Sequence, residues 1–371
     1  MRIAFIQTAH LPSDERIAHH QVPILLERGH DVKVISTRTD FVEGVNNCFN
    51  DVGLSRKKVL LRVTSILEDF LPDLLICDTP IAVIMGGYYR KKYKNCAILY
   101  DVTEWYPSKK NLRNHTWLSI LARLLLLPCL NLWAGVITQG FIYGEYYKAR
   151  PFQFLFRKKK NCFLSYYPDL KYIERTSVRH IEKKCRLLYS GAMTEEKGYF
   201  NVLRALYHTA TWYPQTKFEL TILTGELPIQ QECSDSQPEN LEVLYRLYLP
   251  FEEFCKELSK YDLFLDLRSS DVENTHCLPI KLFYYMATGR PTIITSLKAI
   301  RNGVPDIDEC AVLVERPFRA PEVAAEILKY VKNPNYYQTQ CQNALELSEK
   351  KYNWSLIVDD FIQLVESYER H

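Results

Sequence analysis

The sequence has no C-x-x-C pair, no marked excess of either charge and only 13 glycines in 371 residues. The glycines follow no G-X-Y period, which excludes a collagen-like chain. Eleven cysteines are scattered singly, which argues against a disulfide framework and against a clustered zinc site. We interpret them as buried thiols of a reducing compartment. Lysine and arginine outnumber aspartate and glutamate by 47 to 44, so no nucleic-acid partner is expected.

The composition that remains is that of a folded protein, with 47% hydrophobic and 25% charged residues. At about 150 residues per domain, this length predicts two domains. The apolar run at Ile3–Ile6 is too short for a signal peptide and predicts a buried first strand. We therefore expect a cytoplasmic protein.

One strongly apolar segment, from Trp117 to Thr138, is long enough to cross a membrane. It contains Arg123 and Pro128, and a charge at the centre of a span costs about 3 kcal/mol on insertion scales. We expect a buried helix pair, or a helix lying on a membrane surface, rather than a span.

Apolar strands alternate with helical stretches in both halves of the chain, which predicts parallel α/β sheets covered on both faces. Strands are predicted in the first half at Ile3–Ile6, Val32–Ser36, Leu74–Cys77, Ala97–Tyr100 and Val136–Thr138. In the second half they are predicted at Leu187–Ser190, Phe218–Thr224, Leu241–Tyr245, Asp262–Asp266 and Pro291–Thr295. The pattern weakens within 167–185, so we place an N-terminal domain at 1–170 and a C-terminal domain at 185–354.

The stretch SGAMTEEKG at 190–198 is a glycine-bearing loop that leads into a helix, with Lys197 at the entry. Free N–H groups and an ammonium group together form an anion site suited to a phosphate. The alternative is a solvated lysine at a helix start, because the glycine spacing matches neither a P-loop nor a dinucleotide fingerprint.

A second segment of interest is a polar loop with Glu273 and His276, followed by a proline-led apolar helix, a glycine and a strand. Ligands of parallel sheets bind outside the carboxyl ends of the strands, so this loop is expected to face the same cleft as Lys197. The alternative is an ordinary loop–helix–strand unit whose apolar residues, such as Phe283, belong to the core.

Several stretches resemble glycosyltransferase family 4, in order along nearly the whole chain. CLPIKLFYYMATGRPTI at 277–293 resembles the family's GLPNKLFEYMAAGKPVI, and SGAMTEEKGY at 190–199 is similar to its diphosphate loop. AVLVERPFRAPEVAAEILKYVKNPN at 311–335 resembles a strand and helix of the family. HLPSDERI at 10–17, GHDVKVIS at 29–36 and YDVTEWYP at 100–107 resemble the amino-terminal patterns of one branch.

The resemblance implies the GT-B fold: two Rossmann-like parallel-sheet domains facing across a cleft, with a C-terminal helix at 355–371 packing back on the first domain. It also implies a retaining transfer of a hexose-type sugar from a nucleotide-diphosphate sugar, with no metal and no other cofactor. The acceptor would be a glycan or a lipid-linked acceptor, and surface polysaccharide synthesis is the pathway we expect.

The resemblance also assigns candidate site residues. The catalytic candidates are Lys197, Glu273 and His276. The donor-binding candidates are Gly191, Thr224, Gly225, Cys277, Leu278, Pro279, Lys281 and Tyr284. The acceptor-side candidates in the first domain are Asp14, Arg16, Asp101, Thr103 and Glu104.

The chain departs from the family pattern at four of its polar positions. An arginine of the diphosphate loop is replaced by Ala192, and two glutamates of the donor site by His276 and Tyr284. A histidine of the first-domain loop is replaced by Thr103. An alternative function is therefore a sugar-nucleotide-binding partner subunit with weak catalysis. Nucleotide-sugar 2-epimerases share the fold but lack the KLF-x-YMA-x-G pattern.

Basic residues flank the apolar segment at Lys109, Lys110, Arg113 and Arg157–Lys160. Relatives that act on lipid-linked acceptors dock on the inner leaflet, and cationic residues beside apolar ones suit such a contact. The resemblance thus implies a peripheral position on the inner face of the plasma membrane. The alternative is a core helix with solvated lysines.

Overall fold

The computed structural model of the protein describes residues 1–38, 46–49, 51–104, 106–108, 112, 116–177, 180–228 and 237–369. The flanking cations Lys109, Lys110 and Arg113 lie outside the described residues. The chain divides into two compact units, Met1–Tyr166 with Ile357–His371 (unit 1) and Tyr167–Leu356 (unit 2). The division falls four residues before the expected end of the N-terminal domain.

Unit 1 is built on a seven-stranded parallel sheet. Its strands are β1 (Arg2–Gln7), β2 (Asp31–Ser36), β3 (Asn46–Cys48), β4 (Leu74–Cys77), β5 (Ala97–Val102), β6 (Gly140–Tyr143) and β7 (Lys160–Phe163). They lie in the order β3-β2-β1-β4-β5-β6-β7. The direction of winding reverses between β1 and β4, which creates a topological switch point where the strand ends open a crevice.

Helices cover this sheet. They are a π-helical turn at Arg16–Gln21, α1 (Val22–Glu27), α2 (Arg56–Phe70), α3 (Pro80–Lys92), α4 (Trp117–Ile137) and α5 (Tyr146–Leu155). Thr79 caps α3, since its hydroxyl oxygen accepts the N–H of Ala82 at 3.1 Å, and Pro80 occupies the first turn. All four residues of β4 are buried, as expected of a strand covered on both faces.

The strand predicted at Val136–Thr138 is wrong. Helix α4 continues to Ile137, and strand β6 begins only at Gly140. Strands β3 and β7 were not predicted. In β7 only Cys162 is buried, so this edge strand has no hydrophobic run from which it could be recognised.

Unit 2 contains a six-stranded parallel sheet. Its strands are β8 (Lys184–Ser190), β9 (Lys217–Thr224), β10 (Leu241–Leu247), β11 (Leu263–Asp266), β12 (Thr292–Thr295) and β13 (Ala311–Val314). They lie in the order β10-β9-β8-β11-β12-β13, which is the Rossmann order, with the switch point between β8 and β11.

The helices of unit 2 are α6 (Tyr199–Trp212), α7 (Phe251–Leu258), α8 (Val272–Thr275), α9 (Ile280–Ala287), α10 (Lys298–Gly303), α11 (Ala320–Lys332) and α12 (Pro334–Lys350). Helix α9 packs on the sheet through Tyr285, whose ring stacks on that of Phe264 with centroids 4.1 Å apart. The last helix, α13 (Val358–Glu366), belongs to unit 1, where it packs beside β7.

A buried ion pair joins the π-helical turn of unit 1 to β5. Arg16 donates through Nε and Nη2 to the two carboxylate oxygens of Asp101 at 2.9 Å, and Gln21 donates to the same carboxylate at 3.0 Å. Both charged side chains are 5% exposed or less. The guanidinium also lies over the ring of Tyr166, 4.9 Å from its centroid. Each charge therefore relies on the other for its stabilisation.

We expect Arg16→Ala to lower the free energy of unfolding by about 3–5 kcal/mol, because it leaves Asp101 as an unpaired buried charge. Urea unfolding followed by circular dichroism measures the loss. The control is Arg28→Ala: this side chain is about half exposed and 3.9 Å from Asp359, so a loss below about 1 kcal/mol is expected. Equal losses in the two variants would contradict the structural role of the buried pair.

Candidate active site

The loop at 191–198 leaves β8 at the switch point of unit 2 and leads directly into α6. Tyr189 supports it from beneath, since its hydroxyl lies 2.7 Å from the carbonyl oxygen of Ala192 and 3.2 Å from that of Lys197. The N–H of Gly191 donates to the carbonyl oxygen of Leu223 at 2.9 Å. These bonds fix the loop at both of its ends.

Gly198 brings this loop against the neighbouring strand end. Its φ is +83°, and a Cβ at this position would lie 2.1 Å from the carbonyl oxygen of Leu267, just after β11. The N–H of Ser269 donates to the carbonyl oxygen of Glu196 at 2.8 Å. A side chain at 198 would therefore force the two strand ends of the switch point apart.

Lys197 stands at the entry to α6 with its side chain 42% exposed. Its ammonium group lies 3.8 Å from the carboxylate of Glu196, a separation too long for a hydrogen bond. The positive charge thus lies at the surface of the strand ends, close to the positive end of the helix dipole.

Two arginines beside the loop were not predicted. Arg268, just after β11, donates to both carboxylate oxygens of Asp266. Burial opposes the charge of Arg268, but Asp266 outweighs it and raises the pKa of the guanidinium. Arg316, just after β13, donates to the carbonyl oxygens of Leu267 at 3.0 Å and Arg268 at 3.1 Å. These residues are distant in sequence, and the sheet brings them to one edge.

The helix after the second predicted segment also contacts the loop. Lys281, in the first turn of α9, donates through Nζ to the carbonyl oxygen of Ser190 at 2.7 Å. Its ammonium lies 5.8 Å from the centroid of the Tyr248 ring. The structure thus brings the predicted donor-binding residue Lys281 next to the loop that carries Lys197.

The residues between β11 and α9 form a short capped turn. Asp271 begins α8 by accepting the N–H groups of Glu273 at 3.0 Å and Asn274 at 3.1 Å. His276 ends it, with Nδ1 donating to the carbonyl oxygen of Val272 at 2.8 Å. The predicted residues Glu273, His276 and Cys277 are half-buried on this turn, so their side chains are partly accessible.

The remaining donor-binding candidates differ in exposure. Gly225 is exposed and Gly191 half-buried, whereas Thr224, Leu278, Pro279 and Tyr284 are buried. The ring of Tyr284 packs edge-on against Phe251, with centroids 5.9 Å apart, and this places Tyr284 in the core of unit 2. Its side chain therefore supports α9 from within rather than standing exposed at the strand ends.

The acceptor-side candidates lie at the strand ends of unit 1. Arg16 and Asp101 are engaged in the buried ion pair, and Asp14 accepts the backbone N–H of Arg16 at 3.2 Å. Thr103 is buried; its hydroxyl donates to the carbonyl oxygen of Asp78 at 3.4 Å. Glu104 is 51% exposed. Glu104 is thus the most accessible charged group among these candidates.

Two further polar residues at this edge were not predicted. Asp78, after β4, accepts the N–H of Thr8 at 3.0 Å, and its other oxygen lies 3.0 Å from Nδ1 of His10, after β1. Nε2 of His10 lies 3.8 Å from a carboxylate oxygen of Glu104. His10 stands within the HLPSDERI motif, but its partner Asp78 has no sequence signal that would connect the two.

In the part of the chain that the structure describes, no three histidine, cysteine, aspartate or glutamate side chains are grouped so that they could hold a metal ion.

No family model matches the chain, and no curated protein sequence matches it. Solved structures do. Sucrose-phosphate synthase from Thermosynechococcus elongatus is 14% identical, with a TM-score of 0.71 over 99% of this chain and 98% of that one. WaaG, a glycosyltransferase involved in lipopolysaccharide biosynthesis, is 14% identical, with a TM-score of 0.67 over 98% and 99%. Anabaena HepE in complex with UDP-glucose is 13% identical, with a TM-score of 0.67 over 99% and 100%.

These likenesses extend over the whole chain and define its class: the protein has the GT-B fold, an α/β fold with two Rossmann-like units. Likeness at this level of identity shows the fold alone, because one fold hosts many activities.

An alanine in the left-handed region costs about 1–2 kcal/mol. We expect Gly198→Ala to lower the free energy of unfolding by more than this, because its Cβ would also collide with the carbonyl group of Leu267. Gly53→Ala is the matched control: its φ is +78°, and a Cβ there meets nothing within 4 Å. Urea unfolding of both variants separates the cost of the contact from that of the dihedral angle. Equal losses would show that the loop can move away from β11 at no cost.

Proposed function

We propose that the protein is a retaining glycosyltransferase that moves a hexose-type sugar from a nucleotide-diphosphate sugar to a glycan or lipid-linked acceptor. The observation that carries the proposal is the loop at 191–198. It combines a helix N-terminus, a glycine in contact with the next strand end and the exposed ammonium of Lys197, at a switch point. The UDP-glucose complex of HepE supports the same class of donor.

In this proposal the diphosphate of the donor lies against Lys197, and the dipole of α6 adds to the attraction. The diphosphate gains negative charge as the bond to the sugar breaks, so fixed positive charge stabilises the leaving group in the transition state. Arg316 and Lys281 place further positive charge around the same loop, whereas the charge of Arg268 is paired with the carboxylate of Asp266. These cations supply the charge that a metal ion provides in other transferases, so we propose transfer without a metal.

The basic side chains around this loop also matter for the position of Ala192, where the family resemblance implies an arginine. The loop lacks the arginine that the family resemblance implies, but Arg316 stands at the same strand edge. We therefore favour an active enzyme over the alternative of a partner subunit that only binds a sugar nucleotide. Glu273 and His276, partly accessible on the neighbouring turn, are proposed to contact the donor sugar.

We expect Lys197→Ala to lower kcat/KM by roughly 10–200-fold, because a charge-assisted hydrogen bond contributes about 1.5–3 kcal/mol. Lys197→Arg should retain more activity, since it keeps the charge. Release of the nucleoside diphosphate from a panel of nucleotide sugars measures the reaction, and turnover is expected to persist in EDTA.

The control for this prediction is Lys350→Ala, a lysine on α12 whose side chain is 69% exposed. Unchanged turnover and donor affinity in a folded Lys197→Ala protein would contradict the assignment of the loop as the diphosphate site. Donor binding without turnover by the wild-type protein, across many acceptors, would instead favour the partner subunit.

We further propose that α4 contacts the inner face of the plasma membrane. The helix is long and apolar enough to cross a membrane by length and composition. Only 11% of its apolar stretch is buried, so α4 is neither a core helix nor one member of a buried pair. Its one charged residue, Arg123, is half-buried.

The exposed side of α4 is apolar along its length and carries Trp117, Leu118, Leu121, Leu124, Leu125, Leu126, Leu132, Trp133 and Val136. Tryptophan rings are amphipathic and favour the membrane–water interface. The exposed Phe154 and Leu155 follow on α5, and the guanidinium of Arg157 lies 5.8 Å from the Phe154 ring centroid. Apolar side chains beside cations fit an anionic lipid surface better than a second protein.

We expect the wild-type protein to float with vesicles of phosphatidylcholine and phosphatidylglycerol, and the double variant Leu125→Glu/Leu126→Glu to lose most of this binding. Two carboxylates would have to enter the acyl boundary. Leu61→Glu is the control, because Leu61 is 53% exposed on α2. Salt should weaken the binding only in part, since the exposed side of α4 is uncharged. Concentration-dependent dimers with no vesicle binding would instead assign α4 to a second copy.

A further inference from the structure

His10 occupies a special place in unit 1. It follows β1, and its partner Asp78 follows β4, so the two residues lie on either side of the switch point of the sheet. Ligands of such sheets bind outside the strand ends at this point. The pair therefore lies where the fold places a ligand, although neither residue was among the acceptor-side candidates.

Asp78 fixes the position of the His10 ring. Its carboxylate is buried and accepts the backbone N–H groups of Thr8 at 3.0 Å and Ala9 at 3.2 Å, besides contacting Nδ1 of His10 at 3.0 Å. A ring held through Nδ1 presents Nε2 outward, as in carboxylate–histidine pairs generally. Asp78 thus sets both the loop that carries His10 and the direction of its imidazole.

The charged groups around His10 come from three elements: Asp78 after β4, Glu104 after β5, and Asp14 in its own loop after β1. Burial lowers the pKa of the imidazole, but these carboxylates outweigh it and raise the pKa to about 10. The ring is a cation at neutral pH, so Nε2 carries a proton and acts as a hydrogen-bond donor.

Glu104 completes a donor and acceptor pair. Its carboxylate is 51% exposed, the His10 ring is 21% exposed, and Nε2 lies 3.8 Å from Oε1. A hydroxyl oxygen at about 2.8 Å from each atom fits this separation, accepting from Nε2 and donating to the carboxylate. Thr103 holds the position where the family resemblance implies a histidine, and its buried hydroxyl is bonded to the Asp78 carbonyl.

We infer that His10 and Glu104 bind a hydroxyl group of the glycosyl acceptor, with Asp78 as the positioning residue behind His10. Nε2 of His10 donates a hydrogen bond to the hydroxyl oxygen. The carboxylate of Glu104 accepts a hydrogen bond from the same hydroxyl group. His10 stands at the end of β1 and Glu104 at the end of β5, with Asp78 at the end of β4 between these two strands. This inference rests on the proposed transferase function for the identity of its ligand.

The test begins with the wild-type protein and methyl glycosides of the common hexoses and N-acetylhexosamines as probes. Histidine resonances, assigned by means of His10→Asn, report the titration of His10 and its response to each glycoside. We expect a midpoint above pH 8 and a shift of the His10 resonance by at least one glycoside. A His10 resonance that none of the probes moves would overturn the inference.

Transfer assays then separate positioning from folding. His10→Asn should lower kcat/KM for the responding glycoside by roughly 10-fold or more, the effect of losing a charged donor, with UDP binding unchanged. His10→Gln should retain more activity, because its amide can donate from near the position of Nε2. The control is His180→Asn, at an exposed residue of unit 2.

Asp78→Asn provides a readout that a merely structural role would not give. Without the carboxylate, the pKa of His10 falls toward the ordinary histidine value of about 6.5, so the ring loses its proton as the pH rises through neutrality. Transfer by this variant should decline between pH 6 and 8 while wild-type transfer does not. Identical pH profiles would overturn the role of Asp78.

If wild-type protein binds neither UDP nor any nucleotide sugar, the proposed function fails, while the glycoside titration still decides the inference.

Discussion

The site in each unit depends on one constraint of parallel sheets: where the strand order reverses, two neighbouring loops diverge and leave polar strand ends uncovered. The two units meet this constraint with different chemistry. In unit 2, Gly198 lets the loop after β8 lie directly on the carbonyl of Leu267 after β11. In unit 1, the carboxylate of Asp78 after β4 accepts hydrogen bonds from two backbone N–H groups of the loop after β1. One switch point thus carries the ammonium of Lys197, and the other carries the carboxylate of Asp78 with the imidazole of His10 bonded to it.

Most of the fold could be predicted from the sequence, because buried parallel strands are short apolar runs between helices. The GT-B fold expected from the motifs is confirmed by the full-length likeness to solved structures. The failures have local causes. Val136–Thr138 has a composition typical of a strand, but Val136 and Ile137 complete the last turn of α4 and Thr138 follows it. Strand β7 buries only Cys162, and an edge strand with one buried side chain has no periodicity to detect.

The candidate site could be predicted only where its residues are continuous in sequence. The loop carrying Lys197 and the first turn of α9 were predicted, and Lys281 joins them through its bond to the Ser190 carbonyl. Their catalytic and donor-binding roles remain predictions. Arg268 and Arg316 could not be found in this way, because neither adjoins a motif with phosphate-binding spacing. Asp78 likewise adjoins no motif in the sequence. Its proximity to His10 follows only from the strand order, which places β4 beside β1.

The composition of an apolar helix does not show whether the helix is buried in the core or exposed at the surface. Helix α4 is an apolar helix that is exposed. Burying a leucine side chain contributes about 1.5–3 kcal/mol to stability relative to leaving it exposed. For the exposed leucines of α4, the stabilisation that burial would add is on the order of 10 kcal/mol. That sum is comparable with the whole stability of a typical domain, about 5–15 kcal/mol. The helix is nevertheless firmly attached at its C-terminal end, where the Phe156 ring approaches Gly135 so closely that a Cβ there would lie 2.5 Å from it. This cost of exposure is why we propose that the exposed side of α4 faces a lipid surface, where the lipid-linked acceptor of the proposed reaction would also lie.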